Sequence, residues 1–277
     1  MKPIRLIGSF IRASLQEDAA YRTNFYINLL SSLLNLGTGI LGVVVLFGQI
    51  DNVHGWNLAS TLAVLAVYLI VSAMRGLFIG PSFDSLAGME GEIWSGAFDF
   101  TVLRPVNIQF FASFRKWRLF ALIDLLLGIG VLIAAIIQLG TALSIWQVLS
   151  FLLVLAIGLT ILYSILLLFA ALIFWSPGVL FTWVFDGLFQ MARYPINLYP
   201  GWLRMVLTWV VPVGVITTFP AQALLSGIQP RELVFSVLLA VGLFALASAV
   251  FRVGLRKYAS ASSYLPPDFM SRSVVIW

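Results

Sequence analysis

The chain contains long stretches without a charged side chain. No Asp, Glu, Lys or Arg occurs between Asp124 and Asp186, and residues 146–175 are predominantly apolar. About 20 apolar residues cross the ~30 Å hydrocarbon layer of a bilayer as a helix, because only a helix satisfies its own backbone hydrogen bonds there. The chain is 61% hydrophobic and 10% charged, whereas a soluble domain carries roughly 25% charged residues. The sequence therefore predicts an all-α, polytopic membrane protein whose 277 residues form one transmembrane domain.

Six crossings are expected, and the fifth has two interpretations. Five apolar runs of spanning length lie at about residues 25–47, 57–79, 119–138, 146–175 and 233–251. Residues 177–227 are apolar but are interrupted by prolines, each of which removes a backbone donor. One interpretation makes residues 203–225 the fifth crossing. The other makes residues 179–192 a short fifth crossing, followed by a re-entrant hairpin at 194–228.

The basic residues predict the orientation of these crossings. Most of the 16 Lys and Arg residues lie before the first apolar run, around the connection between the second and third runs, or after the last run. The exceptions are Arg193, Arg204 and Arg231. Because basic residues are retained in the cytoplasm, both termini are expected there, in a multi-pass protein of the cytoplasmic (inner) membrane. Residues 1–24 predict an interfacial amphipathic helix, and residues 258–277 a cytoplasmic tail. The net charge of +5 indicates contact with membrane lipids and not with nucleic acid.

Much catalytic chemistry is excluded by residue type. The chain has no cysteine and one histidine, His54, which excludes thiol catalysis, zinc clusters and paired-histidine metal sites. None of the three lysines (Lys2, Lys116 and Lys257) follows a glycine, so no phosphate-binding Gly-Lys-Ser/Thr motif exists. We therefore expect no catalytic residue, no metal site and no bound cofactor, and any ATP-driven activity needs a partner chain.

The connection at 81–117 is the longest hydrophilic interruption. A short helix from about Gly91 to Val102 is expected to present apolar side chains beside acidic ones. Apolar anchors with a charged rim are typical of an element that docks another protein, and the alternative is a solvated loop on the membrane surface. The candidate docking residues are Glu92, Ile93, Trp94, Phe98, Asp99 and Arg104.

Polar residues within the spans form a second group of candidates. The first span carries Asn28, Ser31 and Asn35 at helical spacing, which favours either close helix packing or a face that lines a route or a subunit interface. Intramembrane carboxylates are costly and are functional candidates by default. We expect Asp124 to pair with nearby Arg118, and Asp186 to be a pathway residue.

The segment from Tyr194 to Gly227 carries a recognisable spacing of prolines. Its pattern, Pro-x(4)-Pro-x-Trp-Leu, then a proline about ten residues on and a Leu-x-Gly ending, resembles the permeases of ABC exporters of the polysaccharide and drug export class. The stretch "GEIWSGAFDFTVLRPVN" resembles the coupling helix between spans two and three of such permeases, and its Leu103-Arg104-Pro105 is similar to a poorly characterised bacterial branch. The positions that carry the proline pattern are Pro195, Pro200, Gly201, Trp202, Leu203, Pro212 and Gly227.

The resemblance implies a function and a set of partners. It implies a permease that forms a pathway with a second permease, the same or homologous, above two copies of an ATP-binding subunit that hold ATP and Mg. It favours the second interpretation of the fifth crossing, with Arg193, Arg204 and Arg231 outside. It also implies that spans one and five meet the second permease. The implied re-entrant gate comprises Pro195, Pro200, Trp202 and Pro212. The alternative is an ion-coupled secondary transporter that uses Asp124 or Asp186 as its coupling carboxylate.

Overall fold

The apolar runs fold into helices. The structure, a computed structural model, describes residues 3–20, 22–48, 50–87, 91–140, 142–176 and 181–258. Within these ranges the regular structure is helical, and one isolated β-bridge joins Val53 to Trp56 in the turn after the first span. The all-α prediction is confirmed.

The helices are described in chain order. They are α1 (Pro3–Ala20), α2 (Arg22–Phe47), α3 (Leu58–Met74), α4 (Gly80–Asp84), α5 (Glu92–Ser95), α6 (Asp99–Val102), α7 (Ile108–Phe114), α8 (Ala121–Leu139), α9 (Ile145–Leu172), α10 (Phe181–Phe189), α11 (Gly201–Trp209), α12 (Val213–Leu225) and α13 (Pro230–Lys257). A π-helical turn, Arg75–Ile79, joins α3 to α4 without a break, and short 3-10 turns follow α10 at Gln190–Arg193 and Ile196–Leu198.

Five of these helices are long and apolar enough to cross a membrane. They are Phe25–Phe47, Leu58–Asp84, Ala121–Leu139, Ile145–Leu172 and Pro230–Lys257. At ~1.5 Å per residue even the 19-residue α8 reaches about 28 Å. The five predicted apolar spans are therefore confirmed.

Side-chain caps fix where three of the spans begin. The first four N–H groups of a helix lack intrahelical partners, so a side chain that accepts from them stabilises the start. Capping boxes are present at Asn57 with Ser60, Ser144 with Gln147, and Gln229 with Glu232. All three boxes lie at one end of the bundle, which we call the opposite face. The other end, where α1, the connection 85–120 and the last turns of α9 and α13 gather, we call the basic face.

The core is built on α3 and α9. Helix α3 packs antiparallel along α8, and α9 packs parallel to α13 and antiparallel to α12. Glycines allow the closest approaches: a Cβ at Gly128 would lie 3.0 Å from the backbone N of Ile70, and one at Gly158 would lie 3.0 Å from the carbonyl O of Ile216. Small residues at such crossings let helix backbones approach closely in membranes.

The remaining crossing is divided between two helices. The Arg193 side chain, just after α10, contacts Asn35, which is ~18 Å along α2 from its Phe47 end. Helix α12 starts near this depth, where Ile216 lies against Gly158, and runs to the opposite face. Two hydrogen bonds from α9 place the end of α12 at the opposite face. Oγ of Ser150 donates to the carbonyl of Ala223, and Nε2 of Gln147 donates to the carbonyl of Leu225. Helix α10 thus covers the basic half of the bundle, and α12 the opposite half.

The structure bears differently on the two interpretations of the fifth crossing. Residues 203–225 are not one straight helix, because α11 and α12 meet at 93° at the break between them, as in a broken span or a re-entrant loop. Residues 181–193 reach only the middle of the bundle, so Arg193 does not emerge outside; residues 177–180 lie outside the described ranges. Hydropathy cannot distinguish these arrangements, because both halves and the intervening turn are apolar.

Candidate functional site

The segment predicted to dock a partner is two short helices instead of one. Helix α5 ends at Gly96. Its φ of 76° lies in the left-handed region, a conformation that residues with a side chain do not adopt readily. Helix α6 begins at Asp99, so three residues separate the two helices. The predicted continuous helix from Gly91 to Val102 is therefore wrong, and the turn rotates α6 relative to α5.

Two of the predicted apolar anchors face inward. Ile93 is 4% exposed and Phe98 is fully buried. The Phe98 ring packs edge-on against Tyr258, at 5.3 Å between centroids, and against Phe174 at 5.7 Å. The expectation that Ile93 and Phe98 present themselves to a partner is therefore wrong, because both are buried and Phe98 packs against the residues that follow α9 and α13. The side chain of Trp94 lies outside the described part of the structure.

The apolar side chains that do project outward follow Phe98. Phe100 is 72% exposed and Leu103 is 80% exposed, with Val102 between them. Arg104 is exposed as well, and its guanidinium carbon lies 4.9 Å from the centre of the Phe111 ring. We call Phe100, Val102 and Leu103 the α6 patch. It lies at the basic face, outside the five helices that are long and apolar enough to cross a membrane.

Buried polar contacts hold α5 and α6 in place. Glu92 forms an ion pair with Arg115, which also donates to Oγ of Ser85 at 2.9 Å. Burial lowers the pKa of Arg115 to about 10, so the guanidinium stays charged at neutral pH. Asp99 accepts a 2.8 Å hydrogen bond from the Tyr258 hydroxyl. Burial and this bond raise the pKa of Tyr258, because both disfavour the phenolate.

The end of the connection is attached to neighbouring elements. The Ser82 hydroxyl, in α4, donates to the carbonyl of Lys116 and accepts from its N–H. The N–H of Trp117 donates to Ser14 in α1, and that of Arg118 donates to the carbonyl of Leu77 in the π-turn. Displacement of the connection would therefore move α1 and α4 with it.

An ion pair joins the π-turn to α10. Arg75 opens the turn, and its Nη2 lies 2.5 Å from an Oδ of Asp186. π-turns are rare and frequently lie at functional sites. Asp186 is the pathway residue expected from the sequence, which indicated no partner for it. The ion pairs among the described side chains are this one and Glu92–Arg115, so the expected Asp124–Arg118 pair is wrong.

An arginine lies against the middle of the first span. Nη2 of Arg193 donates to the Asn35 side-chain oxygen at 2.6 Å, and its guanidinium lies 5.3 Å above the Tyr68 ring. Of the predicted stripe, Asn35 thus contacts the 3-10 turn after α10, Asn28 is half-buried and Ser31 is exposed. Charged groups at this depth are costly, and in membrane proteins they generally face a partner or a water-filled route.

The prolines predicted for a re-entrant gate lie at the ends of its segments. Pro195 and Pro212 are buried, whereas Pro200 is exposed at the start of α11. Trp202 on α11 is 70% exposed. The stretch that begins with Pro195 is held to α12, because Oγ1 of Thr218 accepts a hydrogen bond from the N–H of Ile196 at 3.2 Å.

The comparison with protein families decides the class. Residues 33–262 match a family described as ABC-2 family transporter protein. The chain belongs to this family. No curated protein and no solved structure matches the chain significantly.

Membership makes the chain an ABC-type permease, a multi-pass transport subunit, as the proline pattern and the 91–107 stretch led us to expect. The matched range of this ABC-2 permease contains the α6 patch, the Arg75–Asp186 pair and the Arg193–Asn35 contact. Among the sequence-predicted site residues, Asn28 and Ser31 fall before it. Within the described ranges, no group of three or more His, Asp or Glu side chains could hold a metal ion.

Proposed function

We propose that this ABC-2 permease is one half of the membrane part of an ATP-driven exporter. It works with a second permease, the same or homologous, and with two copies of a separate ATP-binding subunit. ATP and Mg bind to that subunit, and this chain supplies no residue to bond chemistry. The α6 patch carries the proposal: Phe100 and Leu103 are 72% and 80% exposed outside the spans. Exposed apolar side chains at such a place mark a protein interaction site.

The coupling path starts at Phe98. When the ATP-binding subunits close, they push on the α6 patch, and the buried Phe98 ring carries the displacement to Phe174 after α9 and Tyr258 after α13. The Asp99–Tyr258 hydrogen bond acts in parallel. A close-packed aromatic cluster transmits such a displacement because it has few voids to absorb it.

A second branch reaches the divided crossing. The Glu92–Arg115 pair connects α5 to Ser85 at the end of α4, and the π-turn above α4 presents Arg75 to Asp186 on α10. The 3-10 turn after α10 ends at Arg193, next to the segment that begins with Pro195. In the proposed cycle, a shift of α10 moves this segment, which gates the pathway on the opposite face.

The pathway is proposed to run beside α2. Only 11% of its apolar window is buried within this chain, against 61% for the second span, so α2 has most of its surface free for lipid or a second permease. Arg193 and Asn35 meet at its middle. In this arrangement the basic face is cytoplasmic, both termini are in the cytoplasm, and lipids of the inner membrane surround the other helices.

The test is ATP hydrolysis by the assembled complex. The chain is co-expressed with its ATP-binding subunit, purified, and assayed for copurification and ATPase activity. Phe100→Ala combined with Leu103→Ala should lower both at least fivefold. Leu238→Ala, a 67% exposed residue of the α13 span, should change neither. Unchanged activity in the double variant would refute docking through the α6 patch.

A further inference from the structure

An open cavity of about 860 Å³ lies near the basic face, apart from α2 and the divided crossing. It is walled by α1, the π-turn, the segment from Pro105 through α7, α9 and α13. Most of its lining is apolar, including Phe78, Phe110, Leu159 and Phe244. Sites for small ligands typically measure roughly 300–1,000 Å³, so the cavity has the size of a binding site.

One face of α13 presents three kinds of side chain to this cavity in order. Arg252, Ser248 and Phe244 all line it, and they follow one another at spacings of four residues. Residues four apart share a helix face with a rise of ~6 Å, so the three cover about 12 Å along the axis. From the basic face inward, the order is charge, hydroxyl and apolar ring.

A polar network lies at the middle level of this ladder. Gln109 Nε2 donates to Oγ of Ser248 at 3.1 Å and to the Tyr163 hydroxyl at 3.3 Å. The Tyr163 hydroxyl is also 2.8 Å from Oγ of Ser113. These groups form a band of hydroxyl and amide groups between the charged mouth and the apolar end. Thr160 lines the same cavity from α9.

The mouth is cationic. Arg252 is exposed, the lining contains no Asp or Glu, and Arg252 takes part in neither ion pair among the described side chains. Basic pockets between membrane helices on the cytoplasmic side bind anionic lipid head groups.

We propose that this cavity binds one anionic phospholipid of the adjacent leaflet. The phosphate pairs with Arg252, the glycerol ester region lies at the Ser248–Gln109–Tyr163 level, and an acyl chain extends inward past Phe244. A phospholipid presents charge, ester oxygens and hydrocarbon in this order, which matches the ladder on α13. The lipid would bridge α7 of the connection to α9 and α13, and so stabilise the surface that the ATPase contacts.

The test measures binding directly on the whole purified chain, without any ATPase. Phosphatidylglycerol and phosphatidylcholine of equal chain length are titrated into delipidated protein in detergent, and bound lipid is counted by native mass spectrometry. Arg252→Ala should weaken phosphatidylglycerol binding about fivefold, since one basic residue near a lipid head group contributes about that factor. Arg256→Ala, which changes the same charge outside the cavity lining, should weaken it less than twofold. Thr160→Trp, which fills the cavity, should reduce binding of both lipids.

Three results would overturn the proposal. The first is an equal effect of Arg252→Ala and Arg256→Ala, which would indicate general surface charge. The second is equal binding of the two lipids by the unchanged chain. The third is displacement of phosphatidylglycerol by glycerol 3-phosphate at similar concentration, which would indicate a site for a soluble phosphate. Because no ATPase is present, these outcomes are independent of the coupling proposal.

Discussion

Phe98 and Phe100 are two residues apart, and the structure assigns them opposite roles. Phe98 is fully buried against Phe174 and Tyr258, whereas Phe100 is 72% exposed. Truncation of a buried phenylalanine to alanine costs about 3–5 kcal/mol, because it removes transfer free energy and leaves a cavity. At roughly 2–4 °C per kcal/mol for a large domain, Phe98→Ala should lower the Tm by on the order of 10 °C. Phe100→Ala should lower it by less than about 2 °C, since an exposed side chain contributes little packing.

The assay is thermal unfolding of the purified chain, followed by size-exclusion chromatography with fluorescence detection. Phe98→Leu is the control for volume and should recover most of the loss, because apolar changes that nearly conserve volume cost less than about 1.5 kcal/mol. ATPase activity is measured on the same variants in the complex. Phe100→Ala should reduce it at nearly unchanged Tm. An unchanged Tm for Phe98→Ala would refute the reasoning, because a fully buried ring cannot be truncated without a loss of stability.

Three further predictions concern the spans. Arg75→Ala and Asp186→Ala should each destabilise the chain by about 1–3 kcal/mol, and the loss should be at the lower end because the Asp186 side chain is 40% exposed. A double-mutant cycle measured by thermal unfolding should give a coupling energy of about 1 kcal/mol. Additive effects of the two substitutions would contradict the pairing. Gly128→Leu should lower the free energy of unfolding by about 1–3 kcal/mol, because the new side chain overpacks against α3. Gly130→Leu, with nothing within 4 Å of its Cβ position, should lower it by under about 1 kcal/mol. Equal shifts in Tm for the two variants would refute the close approach. Transport by the complex in reconstituted vesicles should be lower with Arg193→Lys than with the unchanged chain. The reason is that an ammonium lacks the planar fork that contacts Asn35 and Tyr68. Full transport activity of the variant would contradict this geometry.

The spans could be predicted because their signal is local. A run such as 146–175 has no polar alternative to a helix in a bilayer, and the structure confirms the five predicted apolar runs as helices of spanning length. The break after α5 also left a local signal. Gly96 lies inside an apolar pattern, where a glycine often ends a helix, and its positive φ shows that this glycine does so.

The contacts of the candidate site could not be predicted, because they join distant parts of the chain. Phe98 is buried by Phe174 and Tyr258, and nothing within 91–107 indicates either residue. Asp186 is separated from Arg75 by more than a hundred residues, and the π-turn that presents Arg75 has no sequence signature. Arg193 was placed outside because the resemblance to exporter permeases favoured the second interpretation of the fifth crossing. Here the charge lies at the junction of two half-crossings.

The most direct test of the proposed coupling uses the absence of native cysteine. Leu103→Cys and Leu238→Cys each introduce one thiol at a position of similar exposure, the first in the α6 patch and the second in a span. Each variant is labelled with benzophenone maleimide, assembled with the ATPase and illuminated, and crosslinked products are resolved by mass. The proposed function predicts a permease–ATPase crosslink from residue 103 and none from residue 238. An intact complex that gives no crosslink from residue 103 would contradict it.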